Sequence, residues 1–228
     1  MNVGCSWSGG KDSSLALHRA IKLGLDVSIL MNFVSESTGR CCFHGVPIDI
    51  VKDQGKSMSI QLMQKNMPED MKDYEAKFRE ALRELKVKGC EGVVFGDIYL
   101  DEHKDWVERV CKLESMQAFL PLWGSDPEDL LREMDETGIK AIVVSCLEKL
   151  GSDFVGSGLT SDHAPWLKSQ GACPCGEHGE YHTLVVDSPI FSKKIKVTES
   201  EKILVNGFWT HWHLDIGNWL METKNPGL

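Results

Sequence analysis

A short apolar run, Val3-Gly4-Cys5-Ser6-Trp7, leads without a spacer into Ser8-Gly9-Gly10-Lys11-Asp12-Ser13, and a helical pattern follows over residues 14–23. This order constrains the fold more than any other feature of the chain. A buried strand turns sharply into a helix, and two glycines at the turn let main-chain N–H groups approach a ligand with no Cβ in the way. The free amides and positive dipole end of the helix start face the same point, so the loop suits a phosphate or pyrophosphate. Lys11 adds a mobile positive charge, and the hydroxyls of Ser8 and Ser13 can donate to phosphate oxygens. Gly4-x4-Gly9 has the spacing that begins a P-loop, but Gly10 comes next and Lys11 is followed by Asp12 instead of Ser or Thr. The register excludes the ordinary kinase or ATPase loop.

The alternation then continues. Residues 26–34 read as a second buried strand ending in the turn-rich Ser35-Glu36-Ser37-Thr38-Gly39, residues 48–57 as a helix, and residues 60–63 as a short strand. Residues 69–85 read as a charged amphipathic helix and residues 92–96 as an apolar strand stopped at Gly96. Residues 101–114 form a helix with Trp106, Val107, Val110 and Cys111 on one face. Alternating strands and helices imply an α/β fold with a parallel sheet, whose ligands sit beyond the carboxyl ends of the strands. The loops after Trp7, Val34 and Phe95 are therefore expected around one site.

The rhythm changes after Leu122. Ser125-Asp126-Pro127-Glu128 is a helix start, residues 139–147 a buried strand, and residues 181–186 and 194–205 further strands separated by glycine-rich stretches. The expected division is a nucleotide-binding domain over residues 1–123 and a smaller α+β substrate domain over residues 124–228. A net charge of −9 in 228 residues counts against extended contact with nucleic acid. With no targeting segment at Met1 and no apolar run long enough to span a bilayer, cytoplasmic residence is expected, with the eight cysteines reduced. A homodimer is left open.

Between Cys173 and Thr183 the chain packs Glu177, His178, Glu180 and His182 among glycines, just before an apolar strand. Carboxylates here suit Mg²⁺ or acid/base work; a polar hairpin with Glu180 and His182 bonded to main chain is the plainer alternative. Cys173, Cys175, His178 and His182 also offer four zinc ligands, although C-x-C is tighter than the usual C-x2-C. Cys41-Cys42-Phe43-His44 is a poorer metal cluster, and His44 is expected to face the nucleotide. Asp97, at a strand end, is either a ribose, metal or substrate contact or a turn aspartate. His211, Trp212 and His213 read as alternating strand residues, with Trp209 and Trp212 supplying apolar area.

Taken in order, the SGGKDS loop, His44 in Phe-His-Gly, Gly96-Asp97, Pro121-Leu122-Trp123 and Gly176-Glu177-x-Gly179-Glu180-Tyr181-x-Thr183 resemble the diphthine–ammonia ligase family of ATP pyrophosphatases. The resemblance covers essentially the whole chain. The loop is shared across a superfamily that includes asparagine, GMP and NAD synthetases and tRNA thiolases; the GEHGEYHT segment is the discriminating part. Diphthamide-forming members carry Glu-Gly-Gly-Glu-aromatic-Glu, where this chain has histidine at positions 178 and 182. Relatives with histidine at the last position resemble a sister group linked to corrinoid salvage.

The resemblance implies a HUP-type (adenine nucleotide alpha hydrolase-like) domain and an AMP-forming amidation. A carboxylate, that of diphthine on elongation factor 2 or of a small molecule, is activated by ATP and Mg²⁺ and then taken by ammonia. It implies ATP contacts at Ser8, Gly9, Gly10, Lys11, Asp12, Ser13, Asn32, His44, Gly96 and Asp97, with Asp12 toward Mg²⁺. Catalytic groups are expected at Lys11, Asp12, Glu180 and His182, and acceptor contacts at Glu177, Glu180, Tyr181 and His182. A sulfur-inserting tRNA enzyme using Cys173 and Cys175, and a noncatalytic adenine-nucleotide sensor, are the alternatives.

Overall fold

The computed structural model describes residues 1–68, 70–206 and 210–224, so Glu69 and Trp209 lie outside the described residues. Two compact units interleave along the chain. The first comprises Met1–Ser8, Asp12–Cys42 and Ile60–Ser125; the second comprises Gly9–Lys11, Phe43–Ser59 and Asp126–Leu228. A single cut at residue 123 does not reproduce them, because the glycine turn and the segment after Cys42 make their contacts with the C-terminal half of the chain.

In the first unit, β1 (Asn2–Ser6), β2 (Asp26–Ser35), β3 (Gln61–Met67), β4 (Gly92–Val94) and β5 (Gln117–Phe119) form one parallel sheet in the order β3-β2-β1-β4-β5. Central strands buried on both faces read as continuous apolar runs, which is why β1, β2 and β4 were visible in the sequence. The strand β3 is longer than expected. As an edge strand it tolerates the polar Gln61, Gln64, Lys65 and Asn66, which hide it from an apolar-run search. The order reverses at β1, with β2 on one side and β4 on the other, so the loops after β1 and β4 flank the switch point where such sheets take ligands.

Helices α1 (Lys11–Lys22), α3 (Met71–Val87) and α4 (Asp101–Leu113) follow their strands. The core includes Ile29, Met31, Phe78, Leu82, Val93 and Val110, with Trp106 packed edge-on to Phe78. Arg109 closes α4 onto α3 by donating two hydrogen bonds to the Glu75 carboxylate, at 2.6 and 3.0 Å.

The second unit is built on an antiparallel sheet of β6 (Lys140–Leu147), β7 (Gly158–Leu159), β8 (Tyr181–Asp187), β9 (Lys193–Val205) and β10 (His211–Thr223). Helix α5 (Pro127–Thr137) starts where the sequence indicated. The Asp126 carboxylate accepts the Glu128 and Asp129 amides at 2.8 and 3.2 Å, Pro127 needs no partner for a missing N–H, and Gly138 ends the helix at φ 81°. The short α6 (Ala164–Ser169) and β7 had no periodicity from which to be read.

Helix α2 (Ile48–Met58) belongs to this unit because its polar residues bond to the strands: Ser57 Oγ donates to the Lys193 carbonyl at 2.7 Å, and Asp53 accepts from Trp219 Nε1 at 3.0 Å. All eight cysteines are free thiols, and among the described residues no helix is long and apolar enough to cross a membrane.

Candidate functional site

The expected site residues fall into two groups, one in each unit. In the first unit, Ser8 Oγ and Ser13 Oγ lie 3.2 Å apart across the start of α1, with Asp12 in the helix's first turn. Gly96 is a packing glycine. A Cβ there would come to 3.0 Å from the Asp12 and Ser13 main chain, closer than side chains usually pack, so glycine eases the approach of the segment after β4 to the first turn of α1. Asp97 Oδ1 lies 3.4 Å from His103 Nδ1.

Asn32, expected at the nucleotide, is held by its neighbours in the sheet. It is 2% exposed, donates to the Trp7 carbonyl at 2.9 Å and accepts from Gln64 Nε2 at 3.1 Å and the Cys41 thiol at 3.5 Å. Its amide ties β1, β2 and β3 together.

The second unit holds the glycine turn itself. Gly9, at φ 83°, has a carbonyl that accepts both the Val185 amide at 2.8 Å and Gln54 Nε2 at 3.0 Å. The same Gln54 Nε2 donates to the Val185 carbonyl at 2.8 Å. The Lys11 amide donates to Thr183 Oγ1 at 3.0 Å, so a residue 172 positions away partners the first amide of α1. Helix α1 consequently begins at Lys11, ahead of the expected residue 14. The Lys11 ammonium is 5% exposed, donates to the Cys175 carbonyl and lies 5.1 Å from the centroid of the Tyr181 ring. Tyr181 donates in turn to the Pro174 carbonyl. The loop lysine and the glycine-rich segment after Cys173 thus form one cluster.

Glu180 is 6% exposed, and both of its oxygens are taken by main-chain amides, from Cys173 at 2.8 Å and His178 at 3.0 Å. Of the two expectations for it, an acid/base group or a carboxylate bonded to main chain, the structure shows the main-chain bonds: Glu180 braces its own loop, because a buried carboxylate needs donors and the loop's amides are the nearest. Glu177 is half-buried on that loop. The four-ligand zinc arrangement is not gathered: the Cys175 thiol donates to the Pro127 carbonyl at 3.2 Å, and among the described residues no three His, Cys, Asp or Glu side chains are placed to hold a metal.

His44 and His182 meet, with ring centroids 4.9 Å apart. Gly10 leaves room for His44, since a Cβ there would lie 2.5 Å from His44 Cε1. His44 Nδ1 lies 2.8 Å from the Thr183 carbonyl, which only accepts, so Nδ1 is the donor and Nε2 of the neutral ring carries the lone pair. Burial first, and Lys11 next, pull His44 down to about 4 against the opposing pull of the Thr183 hydrogen bond. Burial, His44, Lys11 and His211 pull His182 down to about 3. Both imidazoles are neutral at pH 7. Of the residues read as an alternating strand, His213 packs on Gly45, where a Cβ would lie 2.6 Å from its Cε1, and His211 lies close enough to His182 to lower its pKa further. Alternation along a strand was visible; which of its residues would meet Gly45 and His182 was not.

These depressed values set a pH dependence. The unfolded chain protonates both histidines near 6.5 while the folded one does not. Stability present above that value is therefore lost as pH falls toward the folded values, at up to about 1.4 kcal/mol per pH unit for each ring. Urea midpoints at pH 7.5, 6.0 and 5.0 are expected to decline, and the decline to be shallower in His182→Phe. Parallel slopes in the two proteins would mean that His182 is protonated in the fold.

Family models for the diphthamide synthase N-terminal domain and C-terminal domain match residues 1–118 and 126–224. A diphthine–ammonia ligase of Mus musculus is 41% identical over 133 residues, spanning 55% of this chain and 49% of that protein. One of Rattus norvegicus is 31% identical over 234 residues, spanning 90% of this chain and 85% of that protein. A solved structure from Methanocaldococcus jannaschii, described as a predicted subunit of tRNA methyltransferase, overlaps with TM-score 0.47 at 18% identity, over 83% of this chain and 98% of that one. The glycine turn falls in the first matched region and its partners from Cys173 to Val185 fall in the second, and with both regions matched in chain order the chain belongs to the diphthamide synthase family.

Proposed function

We propose that this chain is an AMP-forming amide ligase that activates a carboxylate with ATP and passes it to ammonia, the carboxylate being that of diphthine on elongation factor 2. The names of its relatives support the ligase class and the acceptor. The observation that carries the ATP half is the state of the glycine turn. The Gly9 carbonyl is drawn off by two donors, Lys11 stands at the helix start, and the His44 and His182 rings near Lys11 are neutral. Such a turn favours an anion that gains charge as it leaves.

In the reaction the carboxylate oxygen attacks the α-phosphorus, the bond to the bridging oxygen breaks and pyrophosphate departs. Ammonia then attacks the acyl carbon, the bond to the AMP oxygen breaks, and one proton leaves the nitrogen. The turn and Lys11 hold the departing pyrophosphate, with Lys11 exchanging the Cys175 carbonyl for a phosphate oxygen. With Glu180 committed to its own loop, His44 and His182 are left to orient ammonia, which their neutral rings do by accepting its N–H groups. When bound, Mg²⁺ would neutralise charge on the triphosphate. Asp12, in the first turn of α1, would hold the ion through its carboxylate.

The test is AMP and pyrophosphate formation from ATP, Mg²⁺ and ammonium with diphthine-bearing elongation factor 2, corrinoid carboxylates or no acceptor. AMP made only with the elongation factor, together with acid-to-amide conversion on it, is the expected result. Amidation of a corrinoid would reassign the acceptor, and nucleotide binding without pyrophosphate release would replace the ligase by a sensor.

A further inference from the structure

Gln54 appears in none of the motifs, yet it is fully buried and spends both hydrogens of its side-chain amide on main chain, one on Gly9 O and one on Val185 O. Burial of a side chain that polar is costly unless its groups are satisfied, and here the bonds converge on the turn of the proposed pyrophosphate site. The Gly9 carbonyl also accepts the Val185 amide, so both of its lone pairs are engaged on the side of β8 and α2. The peptide bonds are trans, and in a trans peptide the N–H points opposite to the C=O. Holding the Gly9 carbonyl toward β8 therefore aims the Gly10 N–H the other way. Gly9 is also kept small by the same residue, since a Cβ there would lie 2.8 Å from Gln54 Oε1.

We propose that Gln54 is a positioning residue for pyrophosphate and ATP: it fixes the Gly9–Gly10 peptide so that an N–H, not a carbonyl oxygen, meets the anion. The assignment rests on the reading of the turn as the pyrophosphate site. A released Gly9 carbonyl would turn a partial negative charge toward the leaving group, a penalty the ammonia step does not feel.

The experiment uses the full chain with inorganic pyrophosphate and Mg²⁺ as probe, titrated by calorimetry and by the ¹⁵N–¹H signal of Gly10. Gln54→Met keeps the length and removes the donors, and Gln54→Glu keeps the shape and replaces the amide by a carboxyl. The wild-type Gly10 signal is expected to move on titration. In either folded variant the pyrophosphate Kd is expected to rise at least about tenfold, with the KM for ATP rising alongside and the KM for ammonium staying within about twofold. A loss spread equally over ATP, ammonium and melting temperature would mark Gln54 as structural and overturn the proposal. So would unchanged pyrophosphate affinity in a folded variant while the wild type binds. A wild-type protein that takes no pyrophosphate brings down the site reading itself, and the role of Gln54 with it.

Discussion

Lys11→Met is expected to lower AMP formation more than about 100-fold, the scale seen when one preorganised donor to developing charge is removed. The fold is expected to persist. Met matches the length of the lysine stem, stays in contact with the Tyr181 ring and removes a buried ammonium along with its bond to the Cys175 carbonyl. Lys11→Arg is not expected to restore turnover, because a planar guanidinium needs more room than the slot between that ring and that carbonyl offers a single ammonium. Single-turnover AMP release, with near-ultraviolet circular dichroism as the control for folding, reads both variants. Unchanged turnover in Lys11→Met would remove the turn from the mechanism.

Glu180→Gln is expected to act through stability first. One oxygen that accepts a loop amide becomes an NH₂ that faces it, which costs about 2–3 kcal/mol from the lost charge-assisted bond and the unsatisfied donor. The segment between Cys173 and Gly179 should loosen, and because Lys11 bonds to the Cys175 carbonyl within it, activity should fall together with the melting temperature. Hydrogen exchange at the Cys173 and His178 amides measures the loosening directly. Full protection and unchanged melting combined with lost turnover would return Glu180 to the role of general base.

Lys11 and Glu180 show two ways in which the sequence could be read. Lys11 lies in a turn whose chemistry is local: strand, two glycines, cation and helix start are consecutive, so their convergence follows from chain geometry alone. Glu180 stands in a segment dense with carboxylates and histidines, and density alone does not tell a reacting group from a brace. The difference lies in which amides point at the carboxylate, and those come from a fold-back of the loop with no periodic signal. Asn32 illustrates the same limit, since its partners Trp7, Cys41 and Gln64 sit on separate segments.

By itself, the sequence determined the alternation of strands and helices, the start of α5 and a glycine turn joining β1 to α1. Apolar periodicity, capping residues and glycine conformations act over a few residues. Only the tertiary structure decided that Gly9–Lys11 and α2 belong with the antiparallel sheet, that Thr183 partners the first amide of α1, and that Gln54 holds the Gly9 carbonyl. The physical reason is that buried main-chain polar groups must find partners, and at this turn the partners come from strands and helices dozens to more than a hundred residues away.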